Sequence, residues 1–95
     1  MSTEFPVDLS AFQRDLLWAI FHESARTEFE LNIEIETYYD AIISTGHVHE
    51  ELNKLIERDL VVNETRDEHI NRYSLTETAH QALEARRAWI RGETA

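Results

Sequence analysis

The side chains best suited to chemistry are histidines, and two of them stand close together, His47 and His49, with Glu51 just beyond. Imidazole and carboxylate groups bind transition metals, so this cluster could mark a metal site. On a helix, however, residues i and i+2 point about 200° apart, and only His47 and Glu51 lie one turn apart. Two ligands do not make a site, so we expect no metal, and the histidines are then polar contacts near a partner or solvated side chains.

No motif indicates catalysis. The chain has no cysteine and only two glycines, so it carries neither a thiol nucleophile nor a glycine-rich phosphate loop. It also has no nucleophile elbow and no clustered acid–base pair, and we expect neither an enzyme nor a bound cofactor. The longest apolar run, residues 16–21, is too short to span a membrane, and the first residues do not resemble a signal peptide. We therefore expect a cytoplasmic protein.

The charge balance is strongly acidic, with nineteen acidic residues against nine basic ones and a formal net charge of −10. Binding to nucleic acid is driven by positive charge, so this balance has two explanations. Either the partner is not a nucleic acid, or the protein works in molar salt, where the Debye length is about 3 Å and only groups in contact interact. Lys54 is the only lysine, and many acids with almost no lysine resemble the composition of halophilic archaeal proteins. An ordinary acidic domain is the alternative.

Most of the basic residues lie in the second half of the chain, where some could contact phosphate. Lys54 has Glu50 four residues before it, so an ordinary helical ion pair and a phosphate contact are equally open for it. Arg66 and Arg72 flank a polar loop that has no packing need for arginine, which favours phosphate contact. Three further arginines, whose partners are either acids or DNA, lie near the end of the chain: Arg86, Arg87 and Arg91.

Two capping boxes predict the first two helices. Residues 10–13 open a helix whose apolar residues recur every three or four positions, and residues 27–30 open another that extends to about Tyr39. After the break at residues 44–46, a third helix is predicted from about residue 47 to 58. Its expected buried stripe is Val48, Leu52, Leu55 and Ile56, and its expected solvent side is His47, Glu50, Glu51, Lys54 and Arg58.

The pattern then changes to strands and a last helix. Residues 60–62 and the alternating residues 70–75, joined by a polar loop, predict a two-stranded hairpin. Thr76 can cap a final helix to about Arg91, with an apolar stripe that we expect to be buried in a two-fold dimer. Trp18 and Trp89 are interpreted as core or interface residues, not as platforms on which bases stack.

This order predicts a fold that is mainly α with a β-hairpin, the winged helix-turn-helix. It comprises three helices, a two-stranded wing and a C-terminal dimerisation helix at about residues 76–91. We expect residues 1–9 to form a flexible tail and residues 10–91 to form the domain.

The chain resembles the PadR-like winged-helix regulators, particularly the short haloarchaeal ones, over about residues 8–90. The matching segments, in family order and spacing, are residues 12–17, 38–39, 46, 52–61, 71–76 and 83–89. The resemblance implies a homodimeric regulator of transcription whose third helix enters the major groove of double-stranded DNA and whose wing touches the backbone. It implies DNA contacts at Thr45, His47, His49, Asn53, Lys54, Arg66, His69, Asn71 and Arg72, and dimer contacts at Ala79, Leu83, Arg86, Trp89 and Ile90.

The chain departs from this family at residues 47–51. Members of the family usually have a basic residue, an aromatic residue and a Pro-Asn pair there, whereas this chain has Glu50 and Glu51 beside the predicted groove. Glutamate repels phosphate, although it can accept a hydrogen bond from cytosine. A winged-helix protein–protein interaction module, which uses its acidic face on a basic partner and does not bind DNA, is therefore the second hypothesis.

Overall fold

Each of the four helices begins at a hydroxyl side chain that caps it. The computed structural model describes residues 6, 8–23, 25–67 and 70–93, and for residues 65–67 only the backbone. The helices are α1 (Ala11–His22), α2 (Glu28–Tyr39), α3 (Thr45–Glu57) and α4 (Glu77–Ile90). Their N-caps are Ser10, Thr27, Ser44 and Thr76, and the first two form the predicted capping boxes.

The sheet has three antiparallel strands, β1 (Arg26–Thr27), β2 (Val61–Asp67) and β3 (Ile70–Leu75), in the order β1-β3-β2. Val61 pairs with Leu75 at the base of the β2–β3 hairpin, and the register shifts between Thr65 and Asp67. The hairpin was predicted, but β1 was not, because two residues are too few to carry an alternating pattern.

The core lies where the helices meet the base of the hairpin. Every helix contributes residues that are almost fully buried, and β3 contributes Tyr73, which is 1% exposed. The fully buried aliphatic residues of the helices are Leu16, Leu17, Ile20, Leu31, Ile35, Val48, Leu52, Leu55 and Leu83. This core fixes the directions of α3 and of the hairpin, the two elements expected to meet DNA. Within the described residues, no helix is both long and apolar enough to span a bilayer.

Two predictions from the sequence, the extent of the tail and the dimer stripe of α4, are corrected by this packing. The expected flexible tail ends too late, because Leu9 is 6% exposed within the core and Asp8 accepts a 2.9 Å hydrogen bond from Arg58. The expected dimer stripe of α4 is also partly wrong. Ala79 and Leu83 are buried against the chain's own core, at 2% and 0% exposure, so neither is available to a second copy.

Candidate nucleic-acid interface

One side of α3 is exposed along its whole length and carries the polar residues that the sequence indicated. The backbone amide of His47 donates to the Ser44 hydroxyl at 3.2 Å, which fixes the start of the helix. Since Val48, Leu52 and Leu55 anchor the opposite side in the core, the exposed side has a defined direction. We call the exposed residues Thr45, His47, His49, Glu50, Asn53 and Lys54 the α3 outer face.

The two histidines of the α3 outer face have different neighbours. The His47 ring packs on Phe12, with ring centroids 4.7 Å apart. His49 Nδ1 lies 2.7 Å from Glu28 Oε1, at the start of α2. Among the described residues, no group of three or more histidine, aspartate and glutamate side chains could hold a metal ion.

Glu28 also connects the outer face to the sheet. The Glu28 carboxylate also interacts with the buried Tyr73 hydroxyl of β3. Burial raises the pKa of Tyr73, and the charge of Glu28 and hydrogen bonding with its carboxylate add to this, so the hydroxyl keeps its proton. A single carboxylate therefore joins α3, α2 and β3, and no spacing in the sequence indicated this.

Lys54 lies between two glutamates of its own helix. Its Nζ is 3.7 Å from Glu50 Oε1 and 3.4 Å from Glu51 Oε2. The ion pair with Glu50 has the predicted spacing of four residues. Half of the Lys54 side chain is exposed, so its ammonium is accessible to a phosphate.

Glu51 was expected on the solvent side of α3, and this prediction is wrong. The residue is 8% exposed, and Gln13 Nε2 from α1 donates to its Oε2 at 3.3 Å. Only Glu50 therefore stands on the outer face, so the acidity expected beside the groove is about half of that suggested by the sequence.

The hairpin carries the second group of predicted contacts. Arg72 was expected to have no packing role, and this prediction is wrong. The residue is half-buried, and its NH1 donates to the Ala25 carbonyl at 3.2 Å. Ala25 has a φ of 60°, and this hydrogen bond ties that strained turn to the sheet. Asn71 is exposed. The predicted contacts of the Arg66 side chain and of His69 lie outside the described residues.

The end of α4 presents an exposed apolar surface. Trp89 is 63% exposed and Ile90 is 61% exposed, and Arg86 lies over the Trp89 ring at 5.1 Å. Arg87 lies over the ring of Phe21 in α1 at 5.4 Å. Arg91 pairs with Glu93 at 3.6 Å. These three arginines therefore have aromatic or acidic neighbours within the chain.

An ion-pair cluster that sequence reasoning missed joins α1, β1 and α2. Arg26, whose side chain is 12% exposed, donates to Glu34 Oε1 at 2.6 Å, and His22 Nδ1 lies 3.1 Å from the other oxygen of that carboxylate. Partial burial acts to raise the pKa of Glu34, but the hydrogen bonds and charges of Arg26 and His22 outweigh it and hold the pKa below its ordinary value. The cluster fixes β1 against α1 and α2.

Comparison with solved structures finds the same architecture. RosR of H. salinarum has a TM-score of 0.80 and 29% identity, over 92% of this chain and 78% of its own. The complex structure of hsRosR-SG has a TM-score of 0.81 and 29% identity, over 92% of this chain and 77% of that one. The chain has the winged-helix fold.

Two bacterial proteins have the same fold. A mutant of ZitR from Lactococcus lactis has a TM-score of 0.72 and 25% identity, over 97% of this chain and 60% of that one. MarR from E. coli, at a TM-score of 0.68 and 21% identity, covers 84% of this chain and 56% of its own, and this likeness concerns the fold alone. RosR, ZitR and MarR are winged-helix regulators. No protein-family model and no curated protein sequence matches the chain.

Proposed function

We propose that this protein is a regulator of transcription that binds double-stranded DNA, with α3 in the major groove and the β2–β3 hairpin against the backbone. The observation that carries the proposal is the α3 outer face. It presents Thr45, His47, His49, Asn53 and Lys54 to solvent from a helix whose other side is locked in the core. This is the arrangement by which helix-turn-helix proteins read base edges.

The likeness to RosR supports the same role. RosR and ZitR are DNA-binding regulators of transcription, and RosR is 29% identical to this chain over an alignment that covers 92% of it. The PadR-like resemblance of the sequence points to the same class, and we propose membership of that family as the finer assignment.

The acidity of the chain fits this role if the protein works in concentrated salt. A net charge of −10 repels DNA at low ionic strength, whereas at about 1 M salt the Debye length is roughly 3 Å. Only side chains in contact with DNA then count. The charged or ionisable side chains of the α3 outer face are one lysine, two histidines and one acid, Glu50.

We further propose that the protein binds as a homodimer held by the end of α4. Trp89 and Ile90 are the exposed large apolar residues of that helix, and a two-fold interface would bury them against their copies. A dimer of this kind reads a pseudo-palindrome whose half-sites lie one helical turn apart, about 34–36 Å.

The test is a fluorescence-anisotropy titration of the purified protein on genomic fragments of its host, at about 0.1 M and about 2 M salt. We expect saturable binding in molar salt, competed by the same fragment and not by unrelated duplex. The triple variant His49→Ala, Asn53→Ala and Lys54→Ala should lose it, while the exposed Glu84→Ala of α4 serves as the control.

Absence of binding in both salts would contradict the proposal and favour the protein–protein module. A specific feature supports that second hypothesis, because α2 exposes Phe29 at 72% and Ile33 at 48% among acidic side chains. Such a surface would suit a basic, amphipathic partner.

A further inference from the structure

We propose that Glu28, which is not on the recognition helix, is a positioning residue for base reading, because its carboxylate fixes the tautomer of His49. The inference rests on the proposed function, since it concerns how the α3 outer face reads DNA. Glu28, the first residue of α2, would then help to determine which base is preferred, although α2 itself is not proposed to enter the groove.

The geometry between the two side chains defines which nitrogen carries the proton. His49 Nδ1 is 2.7 Å from Glu28 Oε1. An ionised carboxylate can only accept hydrogen bonds, so Nδ1 must be the donor. In a neutral imidazole the other nitrogen, Nε2, then has a free lone pair and is an acceptor. The partner of one ring nitrogen thus decides what the other can read.

Glu28 has a second neighbour inside the fold besides His49. The Tyr73 hydroxyl interacts with the same carboxylate, and Tyr73 is 1% exposed in the core. The Glu28 side chain is 31% exposed, whereas that of His49 is 53% exposed and remains accessible to DNA. A reading residue whose orientation is set by a supported neighbour does not have to be ordered when DNA binds.

The tautomer has a direct consequence for base preference. In the major groove the donors are the amino groups of adenine and cytosine, and guanine presents two acceptors, O6 and N7. A His49 ring with Nε2 as acceptor matches an adenine or a cytosine and is mismatched to guanine. If Nε2 carried the proton instead, the ring would be a donor and would match the acceptors of guanine.

His47 provides an internal comparison on the same face. Its ring packs on Phe12, and the described residues include no carboxylate partner for it. Glu28 should therefore control one of the two histidines and leave the other unaffected.

The first experiment needs no DNA. The ¹⁵N chemical shifts of the histidine ring nitrogens report which nitrogen is protonated, and at pH 8.5 we expect the His49 ring to carry its proton on Nδ1. In Glu28→Ala the proton should move to Nε2 for a measurable fraction of molecules, with the His47 shifts unchanged. A wild-type His49 protonated on Nε2 would overturn the proposal outright.

The second experiment measures base preference on a duplex library in molar salt. We expect Glu28→Ala to relax the discrimination against guanine at one position per half-site by about five- to tenfold. The matched control is Glu57→Ala, which removes one negative charge from an exposed position of α3 that does not belong to the outer face and should leave the base preference unchanged. In a His49→Ala background, Glu28→Ala should no longer alter the preference.

The two proposals fail in distinguishable ways. If no variant and no wild-type protein binds duplex, the proposed function fails. If the wild type binds and Glu28→Ala keeps its preference at every position, Glu28 has no part in reading and the present inference is wrong. A thermal unfolding curve tests whether Glu28→Ala is folded. If Glu28→Ala is not folded, the ¹⁵N spectrum of the wild type alone decides the His49 tautomer.

Discussion

Lys54 Nζ lies 3.4 Å from Glu51 Oε2, and that carboxylate is buried in the fold and does not face the groove. The two glutamates that precede Lys54 therefore differ in kind. Glu50 is an exposed acid on the reading side, whereas Glu51 lies beneath the lysine and attracts its ammonium from the inner side of the helix. The lysine is the one cation of the α3 outer face, so its neighbours set how strongly that face attracts phosphate.

Replacement of the buried acid should strengthen DNA binding. Glu51→Gln keeps an oxygen that can accept from Gln13 Nε2, but it removes a charge that competes with phosphate for Lys54. We expect a gain in affinity of about two- to tenfold at about 0.1 M salt, which disappears in molar salt because the charges are screened. Glu84→Gln, which removes an equal charge on α4, is the control, and an equal gain in both variants would contradict the assignment.

Arg72 and Lys54 should behave differently when they are truncated. Arg72→Ala leaves the Ala25 carbonyl without its donor, so we expect a loss of about 1–2 kcal/mol in the free energy of unfolding. Lys54→Ala should leave stability nearly unchanged and reduce the slope of log affinity against log salt by about 0.9. Denaturant unfolding and salt titrations of both variants separate the two roles. Unchanged stability in Arg72→Ala would return that arginine to the role predicted from sequence.

The sequence was sufficient for the parts of this fold that depend on local signals. Hydroxyl caps and the spacing of apolar residues located all four helices and the hairpin, because these features act within one element. Glu51 shows where that reasoning ends. It lies three residues after Val48 and four before Leu55, so it stands at the edge of the buried stripe, and Gln13 on another helix supplies its hydrogen bond.

The same limit applies to the residues around the reading face. Glu28 and His49 are 21 positions apart, and Arg72 and Ala25 are 47 apart. Contacts at such separations are set by how elements pack, and no spacing rule predicts them. The prediction of the α4 dimer stripe was partly wrong for a related reason. An apolar helix face can be covered by the core of its own chain or by a second copy, and the sequence pattern is the same in both cases.

Glu34 should make the stability of the protein depend on pH in the acid range. Its pKa in the folded state lies below the ordinary 4.5 because Arg26 and His22 bind the carboxylate. The unfolded chain then binds more protons, so stability is full above pH 4.5 and is lost as pH falls through the folded pKa. We expect Glu34→Gln to lower the free energy of unfolding by about 1 kcal/mol at pH 7 and to leave it unchanged below the folded pKa of Glu34. Urea unfolding between pH 2.5 and pH 7 measures this, with the exposed Glu57→Gln as the control, and a constant difference would refute it.

Tyr39 should affect stability at the alkaline end. Burial, the hydrogen bond to Asp15 and the charge of Asp15 raise its pKa to about 12. A raised folded pKa adds stability that is complete below pH 10 and is lost as the tyrosine ionises. Absorbance titration should find a tyrosine that ionises near pH 12 and is missing in Tyr39→Phe. The same variant should be less stable than the wild type at pH 8, by about 1 kcal/mol, for lack of the bond to Asp15.

Leu83 and Trp89 lie on the same helix and should separate folding from dimerisation. Leu83 is fully buried, so Leu83→Ala should lower the free energy of unfolding by about 2–5 kcal/mol at any protein concentration. Trp89 is 63% exposed in the single chain, so Trp89→Ala should leave that intrinsic stability nearly intact. It should weaken self-association at least tenfold, because an exposed tryptophan is the kind of residue that dominates an interface. Sedimentation equilibrium in molar salt measures the association. If Trp89→Ala associates as tightly as the wild type, the end of α4 is not the dimer contact.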